Sequence, residues 1–316
     1  ALGLTALGNA EVQVQVDGAL GSLTMAMIDT KASWDDMIRR HAPDAVTRDK
    51  VLTNELYRTL TSRFVHSHDY VVTERLFEAR ESGAFDLVIV DTPPSRSALS
   101  VLDAPRRMEQ FFSSRLLKLL TAPAQSRVLS LASRPFFIVA DRILGARFLA
   151  DIAEFFGLFR TMERPVVDRA RRVGALLTDP DTRYLVVSSA EPVAMIEAEY
   201  LVRELRRRGH RLAAVLMNRL VPMTLARGAA RRAAELGASS DTRVQALASA
   251  EREMAAVALR EAAQVAVVRT WGPEVLFSET RQGDITDTSS LAELGAAISA
   301  TPRGYDDVES TDKNER

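Results

Sequence analysis

The stretch Phe85 to Arg107, FDLVIVDTPPSRSALSVLDAPRR, gathers the residues of this chain best suited to chemistry. An apolar run delivers one carboxylate, Asp91, and Thr92, Pro93 and Pro94 follow it as a corner. A carboxylate at the tip of a buried strand can reach Mg²⁺, directly or through water, and the loop behind it can sense a terminal phosphate. That is a Walker-B-like arrangement, although an apolar strand ending in Asp is common in α/β proteins. Two other apolar runs end on polar residues in the same way. Tyr184 to Val187 opens onto Ser188, Ser189 and then Glu191, and Leu212 to Met217 opens onto Asn218 and Arg219. An amide such as that of Asn218 donates and accepts at once, as the edge of a base requires. Each residue also has a plainer use: Asp91 as a solvated strand end, Asn218 as a turn residue, Glu191 as favourable charge at a helix start.

Five short apolar runs must position these groups: Leu23 to Ile28, Phe85 to Val90, Tyr184 to Val187, Leu212 to Met217 and Val265 to Val268. Near-continuous runs of this kind suit strands buried on both faces of a parallel sheet. Helical patterns lie between them. Pro192 fits a helix N1 position, Val193, Ile196, Tyr200, Leu201 and Leu205 form an apolar stripe, and Gly209 stops the helix. Strand alternating with helix predicts an open α/β sheet, whose ligands bind at the carboxyl ends of the strands. Asp91, Ser188, Ser189 and Asn218 all fall at such ends.

Residues 100–165 read differently. Met108, Phe111, Phe112, Leu116 and Leu119 recur at helical spacing, as do Phe137, Leu144, Phe148, Ile152, Phe155 and Phe159. Eight of the twelve phenylalanines lie between positions 111 and 159, which predicts an all-helical insert with wide amphipathic faces. The α/β core is then 1–99 with 166–300, residues 224–264 form a helical connection, and the polar stretch 301–316 is expected to be a disordered tail.

Composition narrows the function. The 316 residues are 47% hydrophobic and 26% charged, with a formal net charge of −1, which disfavours a protein held to nucleic acid by bulk charge. There is no cysteine, so disulfides, thiolate metal sites and cysteine nucleophiles are excluded within this chain. Only four of the 41 basic residues are lysine: Lys31, Lys50, Lys118 and Lys313. His66 and His68 form an H-x-H pair with no carboxylate pattern around it, which reads as a surface pair. Neither a secretory signal nor a membrane-spanning run is visible, and a cytoplasmic protein is expected. The chain opens without Met, as a processed or partial chain would.

The DTPPSR-x-AL-x-x-LDAP string closely resembles the switch II segment of ArsA-type ATPases, in particular its bacterial branch. ALGLTALGN at the start, SLTMAMID, SSAEPVAMIEAEYLVREL and LAAVLMNRLVP fit the same family, so the resemblance covers residues 1 to about 222. It implies a P-loop-NTPase-like, mostly parallel sheet flanked by helices and carrying the helical insert. It also implies ATP and Mg²⁺ as ligands and a homo- or heterodimer with an ArsA-like subunit. Asp91 would be the Mg²⁺-linked switch II aspartate, with Thr92, Pro93 and Pro94 as the phosphate-sensing turn. Asn218 would read adenine with Arg219 beside it, and Glu191 would lie near nucleotide at the dimer interface. The insert would meet a hydrophobic client or membrane protein, with Met108, Phe111, Phe112, Leu116, Phe148 and Phe155 as candidate contacts.

The family's phosphate loop ends in Gly-Lys-Thr, whose backbone N–H groups and lysine hold the phosphates. No lysine of this chain follows a glycine, and the resemblance starts after switch I. The first strand and helix of a typical member thus have no counterpart here, and these residues alone are expected to be inactive. They read either as part of an active ATPase or as a non-catalytic subunit paired with an intact one. A cysteine-based arsenite site and a CxxC zinc clamp are both excluded. A dinucleotide-dependent oxidoreductase lacks its G-x-G-x-x-G, and a DNA-partitioning ATPase would need both the missing loop and a basic surface stripe.

Overall fold

A computed structural model describes residues 9–16, 18–63, 67–92, 95–114, 117, 146–281 and 283–300. The expected tail at 301–316 and most of 115–145, with Leu116 and Leu119, fall outside the described residues, as do Pro93 and Pro94. The chain divides into two compact units, one dominated by Thr24–Asp179 and the other by Pro180–Arg316.

The first unit is mostly helical, and β1 (Val12–Val14) pairs with β2 (Leu23–Met25) in a small two-stranded sheet whose Leu23 is counted with the other unit. The expected strand at 23–28 is thus three residues long. Helix α1 (Thr30–His41) starts where the Asp29 carboxylate accepts from Ala32 N, and α2 (Ala45–Thr53) starts where Asp44 accepts from Thr47 N. Both are side-chain N-caps that satisfy a backbone donor left over at a helix start. There follow α3 (Glu55–Arg63), α4 (Ser67–Ser82), α5 (Ser95–Ser113), α6 (Ala146–Arg160) and α7 (Glu163–Leu177). Their shared core holds Met37, Ile38, Val51, Tyr57, Phe112, Phe155, Phe159 and Met162, each at most 6% exposed. The rings of Phe112 and Phe159 stack with centroids 5.4 Å apart and planes 5° from parallel. The helices of 100–165 therefore pack with the helices of 30–82 in one unit.

A buried ion pair ties α4 to α7. Arg169 Nε donates to Glu74 Oε1 at 2.8 Å, and its Nη1 reaches Glu81 Oε2 at 2.6 Å. The same guanidinium lies 4.2 Å from the Phe77 ring centroid, a cation–π contact. His41, in the last turn of α1, has its Nε2 buried with no hydrogen-bond partner among the described residues. Burial first, then the charges of Arg40 and Arg169, hold its pKa below the ordinary 6.5. The unfolded chain therefore binds the His41 proton more readily than the folded one, so stability present above pH 6.5 is lost as pH falls through the folded value. His41→Phe is expected to flatten the fall, between roughly pH 7 and 5, of the first unit's denaturation midpoint, followed by Trp34 fluorescence in a Trp271→Phe background. An unchanged slope would place that sensitivity elsewhere.

The segment 85–90 belongs to no helix or sheet among the described residues, contrary to the strand its composition predicts. Leu87 is 75% exposed and Ile89 is 80% exposed. A strand is defined by its ladder, and an apolar run without a paired neighbour keeps its side chains in water.

The second unit carries the parallel sheet. Strands β3 (Tyr184–Ser188), β4 (Leu212–Leu220) and β5 (Glu274–Glu279) lie in that order, all parallel, with Val186 opposite Val215 and Met217 opposite Phe277. Helix α8 (Pro192–Arg207) crosses from β3 to β4, with Pro192 in its first turn, and Gly209, at φ 78°, ends it. This positive φ is the left-handed conformation that glycine adopts without a Cβ penalty. Three helices, α9 (Met223–Ala226), α10 (Ala229–Gly237) and α11 (Thr242–Thr270), connect β4 to β5, and α12 (Thr288–Ala300) follows. This is the parallel α/β class that the sequence predicts.

Two details differ from expectation. Val265 to Val268 is not a strand but the end of the 29-residue α11, which runs without a breaker until Gly272. Ala258, Glu261, Val265 and Val268 are its buried residues here, spaced by three and four as one helix face requires. The last strand lies just beyond, at 274–279. On α8 the sheet buries Met195, Ala198, Val202 and Leu205, while Val193 and Ile196 stay 74% and 66% exposed. That helix is apolar on two faces, and periodicity alone does not say which one the sheet takes.

Candidate functional site

Asp91 and Thr92 are exposed and stand directly ahead of α5. That helix buries Ala98, Leu99, Val101, Ala104 and, near its far end, Phe112. The first unit thus presents a carboxylate to solvent ahead of a 19-residue helix that carries Pro105 in its interior and whose other end is packed in the core. Within that core, Phe112 and Phe155 are only 1% and 4% exposed, and Met108 and Phe111 are packed partly buried against it. As candidate client contacts, Phe112 and Phe155 therefore need correction: they are used in packing and offer no surface in this conformation. Phe148 lies in α6, but its side chain is outside the described set.

In the second unit Ser188 and Met217 are paired at the carboxyl end of β3 and β4, so Ser188 and Asn218 share one edge of the sheet. The Ser188 hydroxyl donates to the Ser189 carbonyl at 3.1 Å. Glu191 is the residue before α8, exposed, with no side-chain cap bond. Asn218 is half-buried and Arg219 exposed.

The local geometry of Asn218 is unusual. Met217 pairs with Phe277 and Leu220 with Glu279, so Asn218 and Arg219 together oppose the single residue Ser278. This is a β-bulge, which bends a strand and is common beside active sites. Arg219 has φ 61° and is the one non-glycine residue with positive φ among those described. A bulky residue held there costs roughly 1–3 kcal/mol and persists only when its surroundings dictate it.

Four hydrogen bonds surround the bulge. Thr280 Oγ1 donates to the Arg219 carbonyl at 2.9 Å, and Thr280 N donates to the Leu220 carbonyl at 2.7 Å. Val221 N donates to Glu261 Oε2 at 2.8 Å, and Met223 N to Glu279 Oε1 at 2.9 Å. Glu261 is 9% exposed. Burial raises its pKa above the ordinary carboxylate value, the Val221 N–H opposes that shift, and the nearby charge of Glu191 adds to it. Asn218, Arg219 and Glu191 are candidates from the sequence; Glu261, Glu279 and Thr280, which hydrogen-bond around the bulge, are not among those candidates. Only the 258–261–265–268 spacing on α11 pointed to Glu261 as a carboxylate on a buried face.

The second unit therefore brings Ser188, Glu191, Asn218 and Arg219 to one end of its sheet, and Asp91 and Thr92 belong to the first unit. Among the described residues no group of three or more His, Asp or Glu side chains is arranged to hold a metal by itself. No described helix is long and apolar enough to cross a membrane. No individual curated protein matches the sequence. The family model described as anion-transporting ATPase, ArsA type, matches residues 22–236, a span that includes Asp91, Glu191, Asn218 and Arg219 and stops short of α11 and β5. With more than half of its length matched, the chain belongs to the ArsA family of anion-transporting ATPases.

Proposed function

We propose that these 316 residues carry the switch and the base-reading edge of a nucleotide-driven ArsA-type ATPase. Asp91 holds Mg²⁺ through water, and Thr92, Pro93 and Pro94 form the turn that responds to the terminal phosphate. Asn218 reads the adenine edge with Arg219 beside it, and Glu191 lies near nucleotide where two subunits meet. Mg²⁺-ATP supplies the phosphoryl group and the charge that the switch responds to. The observation that carries this reading is the placement of Asp91 and Thr92, open to solvent at the head of α5 while Phe112, near its tail, is fixed in the core. A shift at Asp91 is passed into α5, whose interior Pro105 removes one backbone hydrogen bond between the two ends. Engagement of a hydrophobic client or membrane protein by 100–165 then requires α5 to move, because Phe112 and Phe155 are otherwise enclosed.

No lysine in the chain follows a glycine, so these residues contain no Gly-Lys-Thr phosphate loop. By themselves they neither hydrolyse ATP nor bind it at micromolar affinity, and the loop comes either from the same polypeptide outside them or from a partner subunit. The absence of cysteine means that any anion these residues handle is not held by thiolates.

Hydrogen exchange tests the switch. In the complete product of the reading frame, amides at the start of α5, from Ala98 to Val101, are expected to exchange more slowly with Mg²⁺ and a non-hydrolysable ATP analogue than with Mg²⁺-ADP. Equal protection in the two states would remove the phosphate-sensing role from the Asp91 corner. Residues 1–316 alone should show neither effect.

A further inference from the structure

We propose that Thr280 and Glu261 are positioning residues that set base selectivity by holding the Asn218–Arg219 bulge in place. The inference rests on the reading of Asn218 as the base-contacting residue. It adds that the discrimination is imposed from a part of the chain, α11 and the end of β5, that the family match does not reach.

The bulge is flanked by the pairs Met217–Phe277 and Leu220–Glu279, but its own two residues oppose only Ser278, and Arg219 stands in a conformation that its side chain disfavours. Left to itself the chain would relax toward regular β4, and the backbone at Asn218 and Arg219 would lose its present set. Two tethers oppose that. The Thr280 hydroxyl and amide grip the two consecutive carbonyls of Arg219 and Leu220 from β5. From α11, the Glu261 carboxylate takes the Val221 N–H. The bulge is therefore held from both β5 and α11, with Pro222, three residues beyond Arg219, unable to offer a further donor. Glu261 also has a reason to be a carboxylate rather than an apolar residue on that buried face: it accepts from a backbone N–H that β5 does not reach. Neither group touches the base in this account. Each acts through Asn218.

The test uses residues 1–316 with adenosine and guanosine as probes, titrated at millimolar concentration and followed by the shift of the Asn218 side-chain amide and neighbouring amides in ¹⁵N spectra. Wild type is expected to prefer adenosine, and Asn218→Ala to lose the preference. Thr280→Val and Glu261→Met are expected to lose it by about fivefold or more, the least that a paired amide–base contact supplies. Thr280→Ser and Glu261→Gln, which keep the hydroxyl and an accepting oxygen, are expected to restore it. A purely structural role would lower stability in all variants alike and leave the adenosine-to-guanosine ratio of the folded fraction unchanged. If wild type prefers adenosine and both Thr280→Val and Glu261→Met keep that preference, the positioning role is overturned while the reading of Asn218 stands. If wild type shows no preference at all, the reading of Asn218 fails, and the positioning role with it.

Discussion

Phe112→Ala is expected to destabilise the first unit by about 3–5 kcal/mol, the range for removing a fully buried aromatic ring from a core that cannot collapse around the gap. The ring is 1% exposed, stacks on Phe159 at 5.4 Å and meets Phe111 edge-on, also at 5.4 Å. Its loss removes apolar burial and both ring contacts together. Because the chain has two compact units, a single global midpoint is not a sound readout. Trp34 lies in the same core as Phe112, and Trp271 lies in the other unit. Denaturation followed by Trp34 fluorescence in a Trp271→Phe background therefore reports on the affected unit. A loss below about 1 kcal/mol, the usual scale of a surface change, would mean that Phe112 is not packed and would return it to the candidate client surface.

The same ring shows what a sequence can and cannot reveal. Helical spacing of Phe111, Phe112, Phe155 and Phe159 identifies an apolar face, but not whether the face meets a client or another helix of its own chain. The structure gives the second answer. Strands β3 and β4 and helix α8 were legible because each carries a local signal: a short apolar run ending on polar residues, Pro192 at the helix start and Gly209 at its end. The run at 85–90 carries an equally clear strand pattern, yet pairing decides whether a strand forms, and pairing is not local. Val265 to Val268 is the opposite case. Its composition favours a strand, but the helix that begins at the Asp241 cap reaches it without interruption, and the buried spacing from Ala258 onward continues through it. Of the candidate site, sequence reached the residues with motif partners, Asp91, Asn218 and Arg219. The bulge, the left-handed Arg219 and the hydrogen bonds from Thr280 and Glu261 join residues 61 and 40 positions apart and leave no mark on local composition.

Asp91→Asn is expected to have the largest effect on activity. The change conserves size and shape and removes one negative charge from an exposed position at the head of α5, so folding should be unaffected. If that carboxylate holds the metal that neutralises the transferring phosphoryl group, its charge is needed most in the transition state, and kcat falls more than KM. Loss of a single electrostatic contact to the reacting group is worth about 10²–10³-fold. Asn218→Ala, by contrast, is expected to raise KM for ATP while leaving kcat nearly unchanged, since base contacts are made equally in the ground and transition states. The decisive measurement is steady-state ATP turnover by the complete product of the reading frame, wild type against Asp91→Asn, at saturating Mg²⁺. The account predicts a fall in kcat of about 10²–10³-fold with unfolding behaviour unchanged. Turnover within about twofold of wild type would contradict it, because the acid ahead of α5 would then have no part in the chemistry.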